Sequence, residues 1–190
     1  GKLRGAFGDV VDLNRAFTAL RLVKSAEEID WMRVGAWYSD RAMAAVAENL
    51  RSGLTERDLG DLCERAWVPV GGETVIHFFG STSMSDPDCR VPRQIPSTRE
   101  FAAGDVVFCE ISGALRGYSG QVLRSFTVEA DPNPLYRDLH DAASAAYDAI
   151  CGVLAPGVHM KDVVAASAVI EQAGFTTCDD LVHGYGGGYL

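Results

Sequence analysis

Apolar residues recur at Ile29, Met32, Ala36, Met43, Val46, Ala47 and Leu50, a spacing that lines one face of a helix. Ser25 precedes them with Glu28 three positions on, a capping-box signature. A helix is therefore predicted from about 26 to 50, with Gly53 as its C′ residue. Thr55 then opens a second helix with Leu59, Leu62 and Ala66 on one side. After turn-like residues 68–72 the period changes. Residues 74–79 (TVIHFF) are β-branched and aromatic and read as a strand. Residues 80–100 hold Ser, Asp and the prolines Pro87, Pro92 and Pro96, so they form a long loop, of the kind that carries function or moves. Residues 105–111 (DVVFCEI) read as a buried strand, Gly113 to Gly117 as the turn, and Tyr118 to Val128 as the return strand of a hairpin. Asp131 to Pro134 breaks the pattern. Helices follow at about 135–154 and 160–173, separated by Pro156 and Gly157 and closed by Gly174. Residues 1–20 are mixed and read as a linker or the tail of a preceding N-terminal domain, leaving 21–190 as the main unit.

The stretches 42–62 and 144–166 share a layout: an Ala-rich helix, a Gly (Gly53, Gly157), then an Asp five residues on (Asp58, Asp162) that opens another helix. Two such helix pairs with a strand hairpin between them suggest an α+β domain with pseudo-twofold symmetry, each pair packing on sheet. The alternative is coincidence between two alanine-rich helices.

Composition narrows the function classes. Apolar residues make up 47% and charged residues 23% of the 190, enough for one core of ordinary size. The net charge of −9, without a basic stripe, argues against nucleic-acid binding. Five cysteines without a CxxC pair argue against a disulfide framework or zinc knuckle and suit a reducing cytoplasm. Cys63, Cys109 and Cys151 sit in apolar runs and are expected as small core residues. No apolar run is long enough to cross a membrane, and the N-terminus, Gly-Lys-Leu-Arg, has no apolar signal core and no initiator Met.

Five segments, in order, carry a resemblance: residues 20–29 (LRLVKSAEEI), 50–59 (LRSGLTERDL), 104–124 (GDVVFCEI…GYSGQVLR), 154–158 (LAPGV) and 182–186 (VHGYG). Together they resemble the pita-bread family of methionine and Xaa-Pro aminopeptidases, prolidase and creatinase. The resemblance implies an α+β pita-bread fold with internal pseudo-twofold duplication, incomplete at its C-terminal end. It also implies a hydrolase acting on peptide-like C–N bonds, and a dinuclear metal site of two Asp, one His and two later Glu. Such ions lower the pKa of a bridging water and polarise the scissile carbonyl. Carried over residue by residue, the first Asp position is Glu110 and the second, eleven residues on, is Gln121. The metal His is retained as His183. The assisting His falls on Arg93, counted back from Gly104. The two Glu positions are expected beyond Leu190.

With a neutral amide at 121 and a guanidinium at 93, loading of two divalent ions is not expected. No cofactor is expected, and a divalent metal (Mn, Co, Fe or Zn) only if this reading of the site fails. Glu110 and His183 are the candidate catalytic pair, and Arg93, Gln121, Tyr118 and Arg124 the candidate substrate-binding residues. Glu110 is read as a pocket carboxylate or, alternatively, a strand residue paired with a neighbouring Arg; Arg93 captures a substrate carboxylate or is a solvated loop residue. His77 is a core or edge histidine or a ligand, and His140 and His159 are surface residues. The glycines 184–188 lack the Lys-Ser/Thr of a phosphate loop. Two functions follow: a hydrolase-type enzyme acting without the metal pair on a small or dipeptide-like substrate, or a catalytically inactive pita-bread module that binds peptide or protein. A homodimer is expected, with no nucleic-acid or membrane partner.

Overall fold

The computed structural model describes residues 6–8, 10–178 and 180–184. After α1 (Asn14–Leu22) the chain forms α2 (Ala26–Asn49) and α3 (Glu56–Trp67), a short 3₁₀ turn (Val68–Val70), then β1 (Glu73–Ser83), β2 (Asp105–Leu115) and β3 (Tyr118–Thr127). The helices α4 (Pro134–Val153), α5 (Met160–Ala166) and α6 (Val169–Gln172) follow. The three strands make one antiparallel sheet in the order β1-β2-β3.

Local signals set the element boundaries. Ser25 Oγ accepts from the Glu28 N–H, and the Glu28 carboxylate accepts from the Ser25 N–H, so both members of the α2 capping box are made. Thr55 and Asp58 do the same for α3. Asn133 caps α4 by accepting from the Tyr136 N–H. A side-chain cap of this kind satisfies N–H groups that have no partner within the helix. At the other end of α2 the expectation fails: the chain leaves the helix at Leu50 in extended conformation, and Gly53 serves a later turn at φ +83°, donating its N–H to the Phe101 carbonyl. The hairpin turn is likewise tighter than expected. Strand β2 runs through Gly113 to Leu115, and Arg116 and Gly117, both at positive φ, reverse the chain, the two-residue turn that suits strand twist.

The core lies between the sheet and the pair α2–α3. Tyr38, Ala42 and Val46 of α2 and Leu59, Cys63 and Trp67 of α3 pack with Phe79, Val107, Cys109 and Ile111 of the sheet. Helix α2 lies unusually close to β2 and β3. A Cβ on Gly120 would collide with the backbone of Ala36, and one on Gly113 with the Tyr38 side chain. The second helix pair is different. Helix α4 packs chiefly on α5 and α6, with only Ala142, Ala146 and Ile150 of its residues buried. The layout repeats, but among the described residues the single sheet lies under the first pair. Cys151 is consequently exposed, correcting its expected core placement, while Cys63 and Cys109 are buried. Burial pushes the Cys63 thiol up to about 12, so it is inert as a nucleophile. The helix expected over 160–173 is interrupted at Ser167, whose hydroxyl donates to the Val164 carbonyl, the local competition that makes Ser a poor helix-interior residue.

The long loop after β1 is pinned rather than loose. Thr82 Oγ1 donates to Asp88 Oδ1 and accepts from the Asp88 N–H, both at 2.8 Å. Arg99 makes a two-pronged contact with buried Asp105, at 2.7 and 2.8 Å. Burial raises the Asp105 pKa, but the bonds from Arg99 and the Ala102 N–H outweigh it and hold it below its ordinary 3.8. A depressed carboxylate contributes stability above its unfolded pKa and loses it as pH falls through the folded value. Asp105→Asn is thus expected to cost about 1.5–3 kcal/mol at pH 7. The gap to wild type narrows in urea unfolding once the pH falls below the ordinary Asp value; a gap of equal size at pH 7 and pH 3 would contradict this.

Candidate functional site

Side chains alternate across a strand. On β2 the odd-numbered Val107, Cys109 and Ile111 enter the core under α2 and α3, so Glu110 and Ser112 project from the opposite face. Ser112 is directly paired with Gln121 on β3, and Glu110 with Leu123. Ile76 and Phe78 of β1 are paired with Ser112 and Glu110. One face of the sheet therefore carries a polar group of Glu110, Ser112 and Gln121 within an apolar surround of Ile76, Phe78 and Leu123. The Gln121 side-chain amide donates to Glu110 Oε1 at 2.8 Å. Both residues are half-buried, so the eleven-residue interval in the sequence becomes a direct contact across neighbouring strands.

Two hydroxyls were not anticipated. Among the described residues Ser112 Oγ and Ser119 Oγ are buried without a hydrogen-bond partner, an arrangement that costs about 1–3 kcal/mol per group. Both lie on Gln121's side of the sheet by strand alternation. Counting by two from Glu110 and Gln121 would have found them.

The remaining candidates are distributed more widely. Arg93 is exposed, and its backbone forms a two-bond bridge with Phe79: the Arg93 N–H donates to the Phe79 carbonyl at 2.7 Å, and the Arg93 carbonyl accepts in return at 3.2 Å. The loop thus adds one residue to the outer edge of β1, and its pairing with core-facing Phe79 puts Arg93 on the helix side of the sheet. His183 is exposed in the coil after Leu181, with Nδ1 3.1 Å from the Gly184 carbonyl oxygen. Tyr118 and Arg124 lie on the other side of the sheet from Gln121. Tyr118 donates to Glu28 Oε1 at 2.6 Å and lies against Trp31, 5.1 Å between ring centres, so it ties β3 to the start of α2. Arg124 shares its side of β3 with Val122 and Phe126, which pack on the core, and it donates to the neighbouring Leu123 carbonyl. An even–odd mismatch with Gln121 puts both residues on the helix side of the sheet. His77 lies on that side too, with Nδ1 3.8 Å from Glu64 and the ring 5.9 Å from that of Phe79. His140 and His159 are exposed.

The fit of a metal pair can be judged on the donors. Among the described residues no group of three or more His, Cys, Asp and Glu side chains is placed to hold an ion. At the paired strand positions one carboxylate faces an amide whose N–H, not its oxygen, is turned toward it. A dinuclear centre needs several anionic oxygens converging between two ions, so the donors described do not fit one.

The three-stranded sheet with two helices on one face is an α+β unit, and its likeness to solved peptidase structures makes it part of a pita-bread fold. The chain belongs to metallopeptidase family M24, whose model matches residues 30–189. It is 33% identical over 175 residues to the probable dipeptidase PepE of Mycobacterium tuberculosis, covering 89% of this chain and 44% of that protein. The crystal structure of dipeptidase PepE from Mycobacterium ulcerans superposes with a TM-score of 0.76 at 28% identity, over 91% of this chain and 46% of that one. The X-Pro aminopeptidase of Thermotoga maritima shares the fold, with a TM-score of 0.78 at 20% identity over 91% and 49%. The chain spans about half the length of these relatives. Among the described residues no helix is long and apolar enough to cross a membrane.

Proposed function

We propose that this chain is the hydrolase part of a dipeptidase-like protein that cleaves an amide-like C–N bond of a small peptide substrate without a dinuclear metal centre. The observation that carries the reading is the hydrogen bond from the Gln121 amide to Glu110. It fixes the carboxylate on the face of the sheet away from α2 and α3, beside the position where the resemblance implies a second carboxylate. In this reading Glu110 takes a proton from water as its oxygen adds to the substrate carbonyl carbon. His183 delivers a proton to the nitrogen as the C–N bond breaks, leaving a carboxylic acid and an amine. Gln121 keeps Glu110 oriented. Arg93, exposed at the edge of β1, pairs with core-facing Phe79 and so stands on the helix side of the sheet, away from this carboxylate. The mycobacterial relatives named as dipeptidases support a peptide substrate.

A second reading, an inactive module that binds peptide, is favoured by Leu123. This residue is 57% exposed beside Glu110 and offers an apolar contact to a partner.

The test is metal retention with turnover. After incubation with Mn, Co, Fe or Zn and dialysis, retention well below about one ion per chain is expected, together with hydrolysis of members of a dipeptide panel. Two ions retained per chain would overturn the metal-free reading. Dipeptide binding without turnover would select the binding module. Turnover in size-exclusion fractions would also show whether the active species is the proposed homodimer.

A further inference from the structure

We infer that Ser39 of α2 is a positioning residue for Gln121, its hydroxyl joining β2 to β3 at the step beside the Glu110–Gln121 contact; this deepens the role proposed for that contact and rests on it. Ser39 is buried, 1% exposed. A serine inside a helix ordinarily turns its hydroxyl back to a carbonyl of the preceding turn, but Ser39 turns it to the sheet. Its Oγ accepts from the Gly113 N–H of β2 at 2.9 Å and donates to the Gly120 carbonyl of β3. Gly113 and Gly120 are themselves paired across the two strands. A single hydroxyl from a helix therefore holds both strands at one step of the ladder.

Three glycines make this reach possible. A Cβ on Gly35 would lie 2.8 Å from the Gly120 nitrogen, one on Gly120 would meet the Ala36 backbone, and one on Gly113 would lie 2.7 Å from Tyr38 Cβ. The same glycines leave this step of β2 and β3 without a cross-strand side-chain pair, the usual restraint between strands, and glycine backbone has the widest freedom of all. The next step of the ladder, one residue along each strand, is Ser112 opposite Gln121. The Gln121 amide is the donor that holds Glu110. Ser39 thus ties both strands at their least restrained step, and the residue whose amide orients Glu110 follows directly on it. Without the hydroxyl, the Gly113 N–H and the Gly120 carbonyl lose a partner together, and Gln121 shifts against Glu110.

The side-chain amide of Gln121 reads this directly in nitrogen–proton correlation NMR, with Gln121→Ala identifying the signal. The bond to a carboxylate sets that signal apart in the wild type, and in Ser39→Ala it is expected to move toward the position of an unbonded glutamine. On the dipeptide that the wild type cleaves fastest, kcat per folded molecule is expected to fall about 10-fold with KM within about 2-fold, the result of a displaced orienting group. In a Gln121→Ala background the same substitution should change kcat by less than about 2-fold, because the group that Ser39 positions has gone. Ser39→Cys keeps the shape of the side chain with a weakly hydrogen-bonding thiol, and gives a smaller shift in the same direction should the alanine variant not fold. An unmoved Gln121 signal in the folded variants refutes the inference, as does an equal drop in kcat with and without Gln121, the mark of a purely structural hydroxyl. If Glu110→Gln keeps the wild-type kcat, it is the proposed chemistry that fails, and the Gln121 signal still decides the placement by Ser39.

Discussion

Glu110→Gln is expected to lower kcat for dipeptide hydrolysis by about 10²–10⁴-fold, the range typical of a lost general base, with little change in thermal midpoint. The side chain keeps its length and its place beside Gln121, whose amide N–H still finds an oxygen acceptor. What disappears is the basic oxygen that takes the proton from water. Because the side chain's size and its contact with Gln121 are kept, KM moves much less than kcat. Gln121→Ala is expected to be milder, because it removes an orienting bond and leaves the base in place. Comparable activity in wild type and Glu110→Gln would remove Glu110 from the chemistry, and an activity lost only together with the folded state would do the same.

The largest effect on stability is expected from Gly120→Ala. The new Cβ would fall within the backbone of Ala36 on α2, so neither a rotamer change nor a side-chain shift relieves the clash. Helix α2 must move away from β3, opening the packing of Tyr38, Ala42 and Val46 on the sheet and stretching the bond from Ser39 Oγ to the Gly120 carbonyl. Overpacking of this kind costs about 3 kcal/mol, which for a chain of this size lowers the thermal midpoint by roughly 6–12 °C. Gly152→Ala is the matched control. Nothing lies within 4 Å of its Cβ position, it sits within α4, and Ala there should stabilise by about 0.5–1 kcal/mol. Equal midpoints for the two variants in differential scanning calorimetry would show that the close approach of α2 to the sheet does not limit stability.

The capping boxes at Ser25 and Thr55 were legible in the sequence because each is a contact between residues three apart. The hairpin was legible because its alternation and its turn are local. The Glu110–Gln121 pair was legible only through its interval. Eleven residues on a two-residue turn place the two side chains diagonally on one face, and the structure makes them touch. Tyr118 and Arg124 lie apart from that pair for the same reason in reverse. Their motif neighbours point to the site, but their own parity turns them to α2 and the helix side, a distinction that depends on which face is covered. Glu56 was overlooked because a Glu in the first turn of a helix ordinarily serves the helix dipole in solvent. Its burial depends on a loop some forty residues away.

Periodicity, capping and motif chemistry all act within short stretches of chain. They were enough to set the family and the main helices and strands, though not the first helix, Asn14–Leu22, or the break at Ser167. Long-range packing was needed to settle which face of the sheet α2 and α3 cover, that Arg93 is stitched to β1 and that Glu56 lies buried beneath the loop. These depend on contacts between residues far apart in the chain, where burial and strand register, rather than residue type, set each side chain's partner.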